Sequence, residues 1–83
     1  MPDTLHNEAY KALIGRMIKA RTSARLSQQT VADRLGKPQS YIAKVEGFER
    51  RLDVMELLML AKAVGFNPLS ALREAWNRVE TDT

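Results

Sequence analysis

Apolar positions recur at three- and four-residue spacing along nearly the whole chain, and polar residues with cap chemistry interrupt them at intervals. Ala9, Leu13, Ile14, Met17 and Ile18 fall on one helical face, which predicts a first helix from about Asn7 to Thr22 with Lys11, Arg16 and Lys19 on its outer side. Ser27 is placed to accept from the free N–H groups of a second helix, Leu26 and Val31 can staple its entry, and Gly36 can end it in the left-handed conformation. Pro38 then offers a preset first-turn dihedral for a third short helix, Gln39 to Glu46, whose Ile42 and Val45 point inward. Asp53 and Glu56 form a D-x-x-E box ahead of Leu57, Leu58, Leu60, Ala61 and Val64; Leu52 can staple to Leu57, and Gly65 is the stop. A fifth helix opens with Asn67 as cap and Pro68 in its first turn, and Leu69, Leu72, Trp76 and Val79 lie along one stripe of it. No segment alternates as a strand would and no period repeats, so the expected class is all-α with five helices.

With 83 residues the chain suits one hydrophobic core, and a single domain over 1–83 is expected, with a core of about 7–79 and mobile ends at 1–6 and 80–83. The absence of cysteine removes disulfides and thiolate zinc sites, and His6 is the sole histidine, so neither a metal nor another cofactor is expected. No nucleophile elbow, phosphate loop or metal-ligand cluster points to an enzyme. The segment MPDTLHNE lacks the order of a secretory signal and no apolar run is long enough to span a bilayer, which predicts a cytoplasmic protein without a membrane partner.

Charge sharpens the picture because it is unevenly distributed. The overall balance is +3, yet residues 11–51 carry ten Lys or Arg against Asp33, Glu46 and Glu49, whereas residues 52–83 carry three basic against five acidic. A basic front and a mildly acidic rear fit a phosphate-facing surface backed by a protein-facing one, although scattered solvated charge would give the same totals.

Two short helices separated by a glycine turn have the geometry of a helix-turn-helix. The stretch LSQQTVADRLGKPQSYIAKVEGFERRLDVMELLMLAKAVG resembles the helix-turn-helix of the Cro and phage-repressor (XRE-like) regulators, over about Arg21 to Leu69. The resemblance rests on the L-S-Q opening, Ala32, Gly36, Ile42, Glu46 and the leucine-rich helix that follows, all at the family's spacing. It implies a lambda-repressor-like domain with the third helix in the major groove of double-stranded DNA, so that Gln39, Ser40 and Lys44 become the candidate base readers. Gln28, at the positive end of the second helix, becomes a phosphate clamp, with Gln29, Lys37, Tyr41, Arg50 and Arg51 as further phosphate candidates. The alternative for all of these is an ordinary solvated surface.

The same resemblance implies a partly buried ion pair between Arg21 and Glu46 that fixes the angle of the reading helix. Two departures from the family are visible. Many relatives have glycine one residue after Gly47, so Phe48 stands where a positive φ is often needed, and Thr30 replaces the acidic residue that would complete a capping box with Ser27.

A single short reading helix covers few base pairs, so the resemblance implies a homodimer on an inverted repeat, its two reading helices about 34 Å apart. Leu69, Leu72, Trp76 and Val79 are the candidate dimer surface, unless they serve as ordinary core. The expected function is a transcriptional regulator, most simply a repressor. The rivals are an antitoxin that binds its operator and a toxin protein, a restriction-modification controller, and a pure interaction module; polymerase is a further possible protein partner.

Overall fold

A computed structural model describes residues 2–82, with side chains over residues 8–79. Its secondary structure is five α-helices: α1 Pro2–Ser23, α2 Gln28–Leu35, α3 Gln39–Glu46, α4 Val54–Val64 and α5 Leu69–Asp82. The expectation of mobile ends at 1–6 and 80–83 concerns positions whose side chains lie outside the described residues.

The capping residues behave as local chemistry dictates. Ser27 Oγ accepts from the Thr30 backbone N–H at 3.0 Å, and its second contact is the Thr30 hydroxyl at 2.9 Å, which occupies the place of the missing acidic partner. Asp53 and Glu56 complete their box reciprocally, with Glu56 N donating to Asp53 Oδ1 at 2.7 Å and Asp53 N donating to Glu56 Oε1 at 3.0 Å. Gly36 closes α2 at φ +67° and Gly65 closes α4 at φ +83°, the left-handed C-terminal geometry that a side chain would strain.

Three boundaries differ from expectation. α1 begins at Pro2 instead of near Asn7, because apolar spacing marks only the part of a helix that covers a core, and a proline is compatible with a first turn. Pro38 is extended, at φ −72° and ψ 154°, and acts as the N-cap of α3 instead of its first helical residue; its carbonyl accepts from Tyr41 N at 3.0 Å. At α5, Asn67 Oδ1 accepts from Leu69 N at 3.0 Å and Pro68 stands just before the helix, a shift of one residue.

Ile14, Val31, Ile42 and Val45 are completely enclosed and join α1, α2 and α3, while Leu57, Leu60, Ala61 and Val64 close the core from α4. α2 packs on α3 and α4, and α1 crosses α3 and α4. α5 lies along α1, and among the described residues its backbone approaches no other helix, while its Leu72 side chain reaches Val54 and Leu57 of α4. Arg16 ties the two together, donating to Glu74 Oε1 at 2.6 Å and to Ser70 Oγ at 2.9 Å. Along the α5 stripe Ala71 is buried and Leu72 packs against the core, Val79 is half-buried, and Leu69 and Trp76 remain 68% and 65% exposed.

Two non-glycine residues adopt positive φ, Phe48 at +63° and Arg25 at +60°. Gly47, just before Phe48, has φ −86°, so the left-handed residue that turns the chain out of α3 is the phenylalanine. A Cβ on Gly47 would lie 3.1 Å from the Ala43 carbonyl oxygen, a crowding that favours glycine there.

Candidate nucleic-acid interface

α3 buries Ile42 and Val45 and turns Gln39, Ser40 and Lys44 outward into solvent. The first turn starts just beyond the extended Pro38, and the Gln39 amide and Ser40 hydroxyl stand exposed at that leading end. A major groove admits one helix approached in this way.

Behind this end runs a connected polar cluster. Arg21 and Glu46 form a two-pronged pair, Nε to Oε2 at 2.6 Å and Nη2 to Oε1 at 2.9 Å, with their side chains only 13% and 12% exposed. The third arm of Arg21, Nη1, donates to the Leu26 carbonyl at 2.7 Å, which ties the end of α1 to the entry of α2. Gln28 Nε2 donates to Glu46 Oε1 at 2.9 Å, and Gln39 Nε2 donates to Gln28 Oε1 at 2.6 Å. The cluster therefore links α1, α2 and both ends of α3.

The flanking candidates are spread over a wider surface. Gln29 is exposed and donates to Asp33 Oδ1 at 2.8 Å. Tyr41 is half-buried between two cations, with Lys37 Nζ 5.2 Å and Arg50 Cζ 4.9 Å from its ring centroid. Burial, reinforced by the negative charge of Glu56, raises the Tyr41 hydroxyl above its ordinary pKa, so it remains a hydrogen-bond donor at neutral pH. Arg50 also grips Glu56 with both arms, at 3.1 and 2.9 Å. That hydrogen-bonded partner holds the Glu56 carboxyl down at about 2, helped by the Asp53 backbone N–H. A phosphate would therefore share Arg50 with Glu56. Arg51 stacks over Tyr10 at 4.6 Å, and the Tyr10 hydroxyl accepts from Leu52 N at 3.2 Å, which anchors the loop after α3 to α1. Lys11 sits 5.8 Å over the Phe48 ring on the same loop.

Sequence reasoning missed the Gln28–Gln39 and Gln28–Glu46 bonds, because nothing in residue spacing orients an amide across helices. It also missed the Arg50–Glu56 pair, since Glu56 was accounted for as a cap. The outer side of α4 carries a compositional signal: VMELLMLAKAV is apolar around more than one face, and Val54, Met55, Leu58 and Met59 are exposed by 72, 62, 38 and 53%.

Among the described residues no group of His, Cys, Asp and Glu is arranged to hold a metal ion, and no helix is long and apolar enough to cross a membrane. Comparison with known proteins adds the family. The helix-turn-helix family model matches residues 17–70. The solved structure of an XRE-family-like protein from Pseudomonas syringae pv. tomato superimposes with a TM-score of 0.84 at 39% identity, covering 90% of this chain and 92% of that one. No curated protein sequence matches the chain. A helix-turn-helix model that spans most of the chain, and a fold shared end to end with an XRE-family relative, place this protein in the XRE family of helix-turn-helix DNA-binding transcription regulators.

Proposed function

We propose that the protein is a sequence-specific regulator that binds an inverted-repeat operator as a homodimer in the cytoplasm, with α3 of each copy in the major groove. The observation that carries this reading is the outward display of Gln39, Ser40 and Lys44 along the exposed side of a helix whose other face is locked in the core. Gln pairs with adenine, Lys donates to guanine and Ser serves either. Gln28, Gln29, Lys37, Tyr41, Arg50 and Arg51 then meet the phosphates and set register. The dimer forms through α5, where Leu69 and Trp76 are the uncovered members of the stripe, Val79 flanks them and Leu72 backs them from the core. Occupying the operator represses by excluding polymerase.

Selecting bound duplexes from a random pool tests the reading. The expected product is a palindromic site with half-sites about 10 base pairs apart, bound more weakly as salt rises. Recovery of no common sequence at any salt concentration would sink it.

A second reading has one observation in its favour. The exposed apolar side chains of α4 suit a second protein, as an antitoxin or a polymerase-contacting regulator requires. Copurification of the full chain with a small toxin encoded beside it would move the function to that reading.

A further inference from the structure

An apolar cavity and an exposed tryptophan occur on neighbouring turns of α5. The cavity, of about 210 Å³, lies between α1, the start of α4 and α5, and is lined by Tyr10 and Leu13, by Val54 and Leu57, and by Leu72, with Asp53 also in its wall. Val54 is 72% exposed, so the cavity opens at the surface. One turn beyond Leu72 stands Trp76, which is not part of that wall and is largely uncovered. An apolar cavity of roughly 150 Å³ holds a benzene ring, so this one has space for the larger part of an indole. Asp53 accepts the Glu56 N–H through Oδ1, and its other carboxylate oxygen can take an indole N–H, the one polar group that a buried tryptophan must satisfy.

We infer that the indole of Trp76 from a second copy enters this cavity, reciprocally, so that each protomer of the homodimer supplies one knob and one hole. This rests on the reading above that two copies pair through α5. The spacing of the apolar stripe favours that occupant. Leu72 and Trp76 lie two residues either side of Glu74, and Leu69 and Val79 lie five residues either side. A two-fold axis perpendicular to α5 at the level of Glu74 runs the two helices antiparallel, and it sets Leu72 against Trp76 of the other copy and Leu69 against Val79. Glu74 itself does not obstruct this approach, because it is turned to Arg16 on α1 at 2.6 Å. Since Leu72 is a wall of the cavity, the opposing indole arrives at its mouth. A tryptophan seated in an apolar pocket is the usual form of an interface anchor, and a second copy of this chain carries both halves of that contact.

Trp76 is the sole tryptophan, so its emission reports the contact directly. The test follows emission and iodide quenching of the full chain through a dilution series, alongside sedimentation. As the dimer fraction rises, emission moves to shorter wavelength and iodide access falls in step. Val54→Asp sets a charge at the mouth of the cavity, at an exposed position in the first turn of α4 where an acidic residue suits the helix dipole, so the fold is retained. This variant raises the dimer dissociation constant by at least about ten-fold, and combining it with Trp76→Ala adds less than the two separate effects together. Met59→Asp, on α4 but outside the cavity wall, leaves dimerisation unchanged. A dimer in which Trp76 stays open to iodide overturns the inference and leaves pairing through another part of α5 standing. A dimer that buries Trp76 yet yields to Met59→Asp and not to Val54→Asp also overturns it, by placing the indole on the outer side of α4. A chain that sediments as a monomer at every concentration overturns both the inference and the homodimer.

Discussion

Around α3, charged and amide side chains are held by partners: Arg21 by Glu46 and a carbonyl, Gln28 by Glu46, Gln39 by Gln28, Arg50 by Glu56 and the Tyr41 ring. On α4 and α5 a set of large apolar side chains stands in solvent, among them Val54, Met55, Met59, Leu69 and Trp76. The two regions share one core and differ in what their surfaces lack. The first has its geometry set before any ligand arrives, so that little side-chain freedom remains to be lost on binding. The second exposes area that water solvates poorly and that another protein surface could cover. A surface of fixed polar groups fits recognition of a patterned groove, whereas uncovered apolar area fits association between proteins.

Substitutions in the two regions should therefore fail in different ways. The largest effect is expected from Glu46→Ala, which leaves the Arg21 guanidinium, 13% exposed, without its counter-charge. A loss of roughly 3–5 kcal/mol in urea unfolding is expected, with a smaller loss when Arg21→Leu accompanies Glu46→Leu. Equal losses for the single and double variants would show that the pair does not act as a unit.

Next in size is Trp76→Ala. The ring is already 65% exposed, so the monomer should unfold as before, while dimer dissociation measured by sedimentation rises by at least about thirty-fold, as for an interface anchor. A lowered unfolding midpoint with an unchanged dimer constant would return Trp76 to the fold and erase the contrast between the two regions.

The smallest expected effect is on pH dependence. Folding lowers the Glu56 carboxyl from 4.5 to about 2, so its pairing with Arg50 and its cap on α4 contribute fully above about pH 4.5 and fade as pH falls toward 2. Stability measured across that window should decline less steeply in Glu56→Gln than in the parent. Parallel curves would place the acid sensitivity in other carboxylates.

How much of this was legible beforehand depended on the range of the interaction. Ser27, the Asp53–Glu56 box, Gly36 and Gly65 act within a turn of their own positions, so spacing reveals them. Phe48 stands where relatives often carry glycine, and it does take a positive φ. Arg25 gave no such sign: it turns the chain between α1 and α2 with φ +60°, and its identity does not announce a left-handed residue. The Arg50–Glu56 grip and the Glu46–Gln28–Gln39 sequence of bonds depend on rotamers that only the packed helices determine. The composition of α4 shows more apolar residues than one buried face needs, but which of them stay uncovered is decided only by the packing of its neighbours.

The docking of α5 along α1 has a consequence for biosynthesis. α1 is made before α5, and Arg16 waits for Ser70 and Glu74, 54 and 58 residues downstream. α2, α3 and α4 can assemble from neighbouring stretches while one flank of α1 remains bare until α5 has been made. A nascent chain stalled before residue 70 would expose that flank to chaperones and proteases, giving quality control a way to recognise unfinished copies.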